Sequence, residues 1–316
     1  MANILVTGGA GFIGSHLARR FVQVGHRVRV LDNLSTGQRE RLADVAGRVD
    51  LLVGDLRNPG DCLAACDDVE LVFHQAAAAS VPRSVADPLM TNEVNAVGTL
   101  NLLLAARERR CRRVIYAGSS SVYGDSEVSP KTEDLTPNPL TPYAAQKLMG
   151  EHYMRVFAVC YGLETLTTRY FNVFGPGQDP ASQYAAVIPA FVTAVLSGRR
   201  PIIYGDGEQT RDFTYIDNVL DGNLLAAEAP DARGQVLNIA CGDGISVNEV
   251  LRTVNEMLGT RVPAEHVPPR VGDVRHSTAG IARAEKLLGY RPRIGFREGL
   301  QRTIAYYAAL AKGHGA

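Results

Sequence analysis

The segment Thr7-Gly8-Gly9-Ala10-Gly11-Phe12-Ile13-Gly14 constrains this chain more than any other. It follows a short apolar run, Asn3–Thr7, and opens an amphipathic stretch, Ile13–Val24, so the glycines fall where a strand turns into a helix. Two patterns are met at once. Gly9, Gly11 and Gly14 form Gly-x-Gly-x-x-Gly, and Gly8, Gly11 and Gly14 form Gly-x-x-Gly-x-x-Gly. Glycines in that place permit a tight turn and a close approach of backbone to a pyrophosphate, which then rests on the helix N-terminus. Asp32 ends the second apolar run at the offset of a carboxylate that accepts from the adenosine ribose hydroxyls. Such an acid repels a 2′-phosphate, so NAD is expected rather than NADP. An ordinary turn acid would look the same, and so would Asp55 after the third run, read as an adenine-edge contact.

The rest of the first half repeats the strand-then-helix alternation. Strands are expected at Asn3–Thr7, Arg27–Leu31, Asp50–Gly54, Leu71–Gln75, Arg113–Ser119 and Glu164–Arg169. Helices are expected at Ile13–Val24, Asn92–Arg109 and Tyr143–Cys160. Short β-branched runs alternating with amphipathic helices predict an α/β fold, a doubly wound parallel (Rossmann-type) sheet covered on both faces. Its ligands belong at the carboxyl ends of the strands. After about Tyr170 the pattern loosens, with Gly175-Pro176-Gly177, a Gly/Pro-rich Pro263–Gly272, and helices at Ala185–Ser197, Val247–Leu258 and Leu300–Ala309. Val236–Ala240 reads as one more buried strand, with a return to the first sheet as one placement. The expected division is an NAD-binding domain over 1–170, with return segments near 212–240, and a smaller substrate lobe mainly over 171–316.

Composition excludes several classes. Lys+Arg and Asp+Glu are equal at 33 each, so no basic field gathers nucleic acid or an anionic membrane. No apolar run approaches the roughly 18 residues that span a bilayer, and Met1–Val6 has no charged lead or cleavage site. A soluble, cytoplasmic protein is expected. Cys62, Cys66, Cys111, Cys160 and Cys241 form no Cys-x-x-Cys, and the seven histidines are scattered, so neither disulfides nor a metal site is indicated.

Tyr143 and Lys147 lie four residues apart on a predicted helix and therefore share a face. A cation there favours the phenolate and draws the phenol down from its usual value of about 10. Ser119-Ser120-Ser121 end the fifth strand on the same sheet edge. Tyr-x-x-x-Lys also occurs on any helix surface, and serines at a strand end also satisfy backbone groups; their convergence with the glycine turn argues for chemistry.

With these segments on the page, the chain resembles the extended short-chain dehydrogenase/reductase family, and within it the UDP-hexose 4-epimerases. Asp32–Gly37, Gly118–Gly124, Tyr170–Gly175, Arg211-Asp212-Phe213 and Arg270–Asp273 carry the likeness alongside Thr7–Gly14 and Tyr143–Lys147. The resemblance implies a redox-neutral epimerisation with tightly held NAD. Tyr143 would take the proton from the sugar 4-hydroxyl, Ser119 would bridge that oxygen to Tyr143, and Lys147 would hold the nicotinamide ribose and keep the tyrosine pKa low. Gly8, Gly11, Phe12 and Ile13 would cradle the cofactor, with Asp32, Asn33, Ser35, Thr36 and Gly37 at its ribose. Asp55 and Leu56, then Gln75, Ala76, Ala78 and Asn95, and Tyr170 and Val173 complete the implied cofactor set. Ala79, Ser80, Asn172, Ala186, Val187 and Tyr204 would meet the UDP-sugar, Arg211 and Arg270 would clamp its diphosphate, and Asp273 and Ser277 would follow them. A homodimer through Asn92–Arg109 and Tyr143–Cys160 is implied as well.

Two departures narrow the activity. Dehydratases and decarboxylases of the family usually carry an acid just after the catalytic Ser/Thr, where this chain has Ser120. At Ser277, epimerases restricted to plain hexoses commonly carry a tyrosine; a serine, with Ala79-Ser80, leaves room for a 2-N-acetyl group. The expected substrates are UDP-N-acetylglucosamine/UDP-N-acetylgalactosamine and/or UDP-glucose/UDP-galactose. A UDP-uronic acid, met by Arg83 or Arg275, is the nearest alternative. A net NAD-dependent dehydratase or dehydrogenase is the next.

Overall fold

A computed structural model describes residues 1–180, 186–230, 232–269 and 274–313. Six strands, β1 (Asn3–Thr7), β2 (Arg27–Asp32), β3 (Val49–Val53), β4 (Leu71–His74), β5 (Arg113–Ser119) and β6 (Glu164–Tyr170), lie in one sheet. A seventh, Gln235–Ile239, pairs with β6. The order is seventh strand, β6, β5, β4, β1, β2, β3, and every pairing is parallel. The reversal of order beside β1 puts a crevice at the carboxyl ends of β1 and β4.

Burial on both faces explains why the central strands β1 and β4 are almost wholly apolar, whereas β2 alternates arginine and valine toward the sheet edge. Successive side chains point to opposite faces, and the core divides accordingly. Ile4, Val6, Val30, Phe73, Ile115 and Ala117 pack in one cluster, whereas Leu5, Leu31, Val72, Val114 and Tyr116 pack in the other. Helix α1 (Phe12–Gln23) covers the first with Leu17, Ala18 and Phe21. Gly98–Glu108 covers the second with Leu102, Leu103 and Ala106.

The expected strands and α1 are found within a residue or so of their predicted ends, and the returning strand is in the first sheet. One helix differs. Instead of a continuous Asn92–Arg109, the chain makes Pro88–Asn92, a wide π turn at Glu93–Val97, and Gly98–Glu108. The turn lets Asn95 reach sideways, a use to which such bulges are commonly put. Pro142–Tyr161 is capped by Thr141, whose hydroxyl accepts from Ala144 N–H, carries Pro142 in its first turn, and ends at Gly162 in the left-handed conformation. A side chain at Gly150 would overlap the Tyr116 ring, so that helix lies close on β5.

Beyond the sheet stand short pairs. Val173–Phe174 runs beside Thr214–Tyr215, and Ile202–Tyr204 beside Glu265–Val267. Thr210–Arg211 is flanked by Ile245–Ser246 and His276–Ser277. No helix among the described residues is long and apolar enough to cross a membrane.

Candidate active site

The glycine turn is shaped as its sequence requires. Gly8 has φ +67°, and a β-carbon on it would stand 2.7 Å from Ala76 Cα; one on Gly14 would overlap the Gly8 carbonyl oxygen. The turn is tied from below by Asp32, a buried carboxylate accepting from Ala10 N–H at 2.9 Å on one oxygen and from Leu34 N–H at 2.9 Å on the other. Asp32 is therefore a residue that holds the turn. A β-carbon on Gly37 would come within 2.6 Å of Asp32 Oδ1, so only glycine passes over it there. Ser35 and Thr36 are exposed beside it. Asn33 donates to Asp55 at 2.8 Å, and Arg57 forks onto the same carboxylate at 3.0 and 2.8 Å, holding it well below the usual carboxylate range. Leu56 is buried in the core, its carbonyl taken by Asn101.

A polar relay fastens this turn to the floor after β4. Ala76 N–H donates to Thr7 Oγ1, Thr7 Oγ1 and His74 Nδ1 are 2.8 Å apart, and His74 Nε2 is 2.9 Å from Thr99 Oγ1. Thr99 donates to the Asn95 carbonyl, which assigns the ring proton to Nε2. Burial pushes the His74 pKa down to about 3, so the ring is neutral. Asn95 accepts from Ala78 N–H at 2.8 Å and donates to Gln146 at 2.8 Å. Its amide thus orients the loop Gln75–Ala79 rather than projecting from it.

Tyr143, Lys147 and Ser119 line one cavity of about 500 Å³ with Ile13, Gln75, Ala79, Ser120, Tyr170, Val173, Arg211 and Ser277. The Ser119 hydroxyl faces the Tyr143 phenol and acts to lower its pKa, and its oxygen lies 2.9 Å from Ser121 Oγ and accepts from Ser121 N–H at 3.2 Å. Lys147 donates to the Ala117 carbonyl at 3.0 Å and lies 4.8 Å from the Tyr116 ring centroid. Burial brings its pKa down to about 8, with Glu151 acting to raise it. Burial pushes the Tyr143 phenol up, and the Ser119 hydroxyl only partly opposes this. The phenol of the protein alone therefore stands above its ordinary value, not below it as the sequence suggested, because enclosure outweighs the Ser119 hydroxyl and the Lys147 ammonium is directed at Ala117.

Tyr170 donates to Asn223 at 3.0 Å and accepts from Asn223 at 2.8 Å and from Gln75 Nε2 at 3.1 Å. That leaves Gln75 Oε1 buried without a partner. An orphaned acceptor and a glycine cradle that side chains would fill are what a dinucleotide with amide and pyrophosphate groups fits.

The model of the NAD dependent epimerase/dehydratase family matches residues 4–240. The chain belongs to that family. It is thus an enzyme of an NAD-dependent family, and its cofactor is NAD. As a family member it is 38% identical over 311 residues to the UDP-glucose 4-epimerase of Mycolicibacterium smegmatis, covering 96% of this chain and 97% of the relative. Its structure is similar to that of the UDP-glucose 4-epimerase of Thermotoga maritima with UDP-glucose, with a TM-score of 0.94, 36% identity, and coverage of 98% of this chain and 99% of the other. It is also similar to the UDP-N-acetylglucosamine 4-epimerase of Methanobrevibacter ruminantium in complex with UDP-N-acetylmuramic acid, with a TM-score of 0.93, 38% identity, and coverage of 98% and 99%.

In this epimerase/dehydratase, a second cavity of about 260 Å³ is lined by Ala186, Val187, Tyr204, Gln209 and Phe213. Asn172, Val173 and Arg211 line both cavities and join them. Ser80 is turned away to cap Val81–Ala86, accepting from Arg83 N–H at 3.3 Å. Phe12 packs edge-on against His16. Arg270 and Asp273 lie outside the described residues. A larger cavity of about 760 Å³, between the outer face of α1 and Tyr306–Ala311, carries none of these groups. His74, Gln146 and Glu151 escaped the sequence reading; for Glu151 the signal was there, four residues beyond Lys147.

Proposed function

We propose that the chain catalyses reversible 4-epimerisation of a UDP-hexose, UDP-N-acetylglucosamine/UDP-N-acetylgalactosamine and/or UDP-glucose/UDP-galactose, through a 4-keto sugar. One observation carries the reading: Ser119, Tyr143, Lys147 and Ser277 face one cavity, and Ser120, where an eliminating enzyme would keep an acid, brings no carboxyl to it. Bound NAD would supply the hydride chemistry needed at carbon 4. Gly8, Gly11, Ile13, Asp32, Gln75 and Lys147 would hold it.

The protein's own part is proton transfer and orientation. Tyr143 accepts the proton of the 4-hydroxyl and later returns it, with Ser119 donating to the same oxygen. A cationic Lys147, joined by the charge of oxidised NAD, offsets the burial that holds the phenol up. Arg211, between the two cavities, suits the diphosphate by its fork of donors, and the cavity lined by Tyr204 and Val187 suits the uracil. Anchored there, the sugar is free to present either face of carbon 4. Neither Arg83 nor Arg275 lines the sugar cavity; Arg275 forks onto Asp206 at 2.7 and 2.9 Å, and Lys131 gives its ammonium to the carbonyls of Ser126 and Val128. That favours a neutral sugar over a uronate.

The test incubates the purified enzyme with UDP-glucose, UDP-N-acetylglucosamine and UDP-glucuronate and identifies products by NMR. Carbon-4 epimers of the neutral sugars, with no net NADH, are expected. NADH accumulating in step with product would overturn the reading.

A further inference from the structure

The most deeply buried charged pair outside the groups given roles above is Glu151 with Arg169 of β6. The guanidinium forks onto the carboxylate at 2.9 Å from Nε and 2.6 Å from Nη2, and the two side chains are only 3 and 4% exposed. Such pairs contribute little net stability, because desolvation offsets most of the attraction. Their placement here suits another purpose. Glu151 follows Lys147 by one helical turn on Pro142–Tyr161, so both side chains lie on one face. A β-carbon at Gly118 would stand 3.0 Å from Glu151 Oε1, so the carboxylate is pressed against the backbone just before Ser119.

Lys147 is buried and hydrogen-bonds a neutral carbonyl. The other groups that face it bring no negative charge at neutral pH: His74 from β4 is a neutral ring, Tyr116 from β5 a buried phenol, and Tyr143 the phenol of its own helix. A buried amine with no anion nearby sheds its proton. Glu151 is the one carboxylate that acts on it among the described residues.

We infer that Glu151 is a positioning residue that keeps Lys147 an ammonium, by holding a buried negative charge one helical turn away while Arg169 fixes that carboxylate from β6. This rests on the reading of Tyr143 and Lys147 as the proton-handling pair. Burial has already brought Lys147 to about 8 against the upward pull of Glu151. Removing the negative charge favours the neutral amine, so the lysine titrates lower and the tyrosine loses its cation on the alkaline side.

The chain has only Lys131, Lys147, Lys286 and Lys312, so the ammonium can be watched directly. The NAD-bound protein labelled with 13Cε-lysine would be titrated by NMR as wild type, Glu151→Gln, Glu151→Gln/Arg169→Gln and Glu151→Asp. The double variant keeps the hydrogen-bonding shape without a buried lone charge. The Lys147 midpoint should fall by about one pH unit in Glu151→Gln and by less in the double variant, where the Arg169 cation goes as well, and kcat at pH 9 relative to pH 7 should fall about fivefold in Glu151→Gln. Glu151→Asp should largely keep the wild-type midpoint. An unchanged midpoint in folded Glu151→Gln overturns the inference; should that variant not fold, an unchanged midpoint in the double variant overturns it and a lowered one supports it. Because the midpoint is read without turnover, a failed epimerase assay sinks the proposed function and leaves this result standing.

Discussion

Ser277 brings a small side chain to a cavity whose other walls are Tyr143, Arg211 and Val274. It arrives there because His276–Ser277 pairs in parallel with Thr210–Arg211, which sets Ser277 level with Arg211. A tyrosine in its place would fill space that a 2-N-acetyl group needs. Ser277→Tyr should therefore lower kcat/KM for UDP-N-acetylglucosamine at least about tenfold more than for UDP-glucose, the range that steric exclusion in a pocket delivers. Equal losses on both sugars would remove Ser277 from the specificity argument. At this scale the sequence was legible where one residue type has one use. Ser119, Tyr143 and Lys147 are brought to a single cavity. It was less legible where contacts decide. Asn95 and Ser80 have both been drawn into holding the backbone, and no spacing rule could tell that from facing a ligand.

The decisive element is the β1–turn–α1 unit. Its glycines are there because backbone already occupies the space. At Gly14 the occupant is the Gly8 carbonyl, which cannot yield as the tip of a flexible side chain could. Gly14→Ala should destabilise the protein by about 1–3 kcal/mol, the usual cost of overpacking, and strip NAD during purification. Thermal melting with chromatography of released nucleotide would check both. A variant with the wild-type Tm and a full complement of NAD would show that the turn tolerates a side chain. The central strands were readable because burial on both faces leaves short apolar runs such as Asn3–Thr7 and Leu71–His74 between breakers. The π turn at Glu93–Val97 was not, since a pattern of helical period carries no mark of one wide turn. Nor were pairs as short as Thr210–Arg211 with Ile245–Ser246, which hold too few residues to show any period.

For the whole molecule, the two helices over the second face of the sheet leave an apolar stripe uncovered. Val97 and Leu104 on one side, and Met149, Val156 and Val159 on the other, are each at least 44% exposed. Leucine and valine at seven-residue intervals repeat on one helical face, and patches of this kind mark association surfaces. The chain should sediment as a homodimer, and the double substitution Met149→Lys/Val156→Lys should shift it to a monomer in sedimentation velocity. A wild-type protein that sediments as a monomer would refute the assignment.

The strand Gln235–Ile239 lies at the sheet edge beside β6, with Ile239 level with Tyr170. It brackets the chain between Tyr170 and Gln235, which leaves one strand and re-enters through its immediate neighbour, with Ile216–Glu228 packing back against the sheet on the way. Arg211, Tyr204 and Val187 all lie inside that bracket, whereas the proton-handling pair lies outside it. Even so, the proposed nucleotide grip is not one exchangeable insert, because Ile202–Tyr204 and Thr210–Arg211 pair with Glu265–Val267 and His276–Ser277 from beyond the bracket.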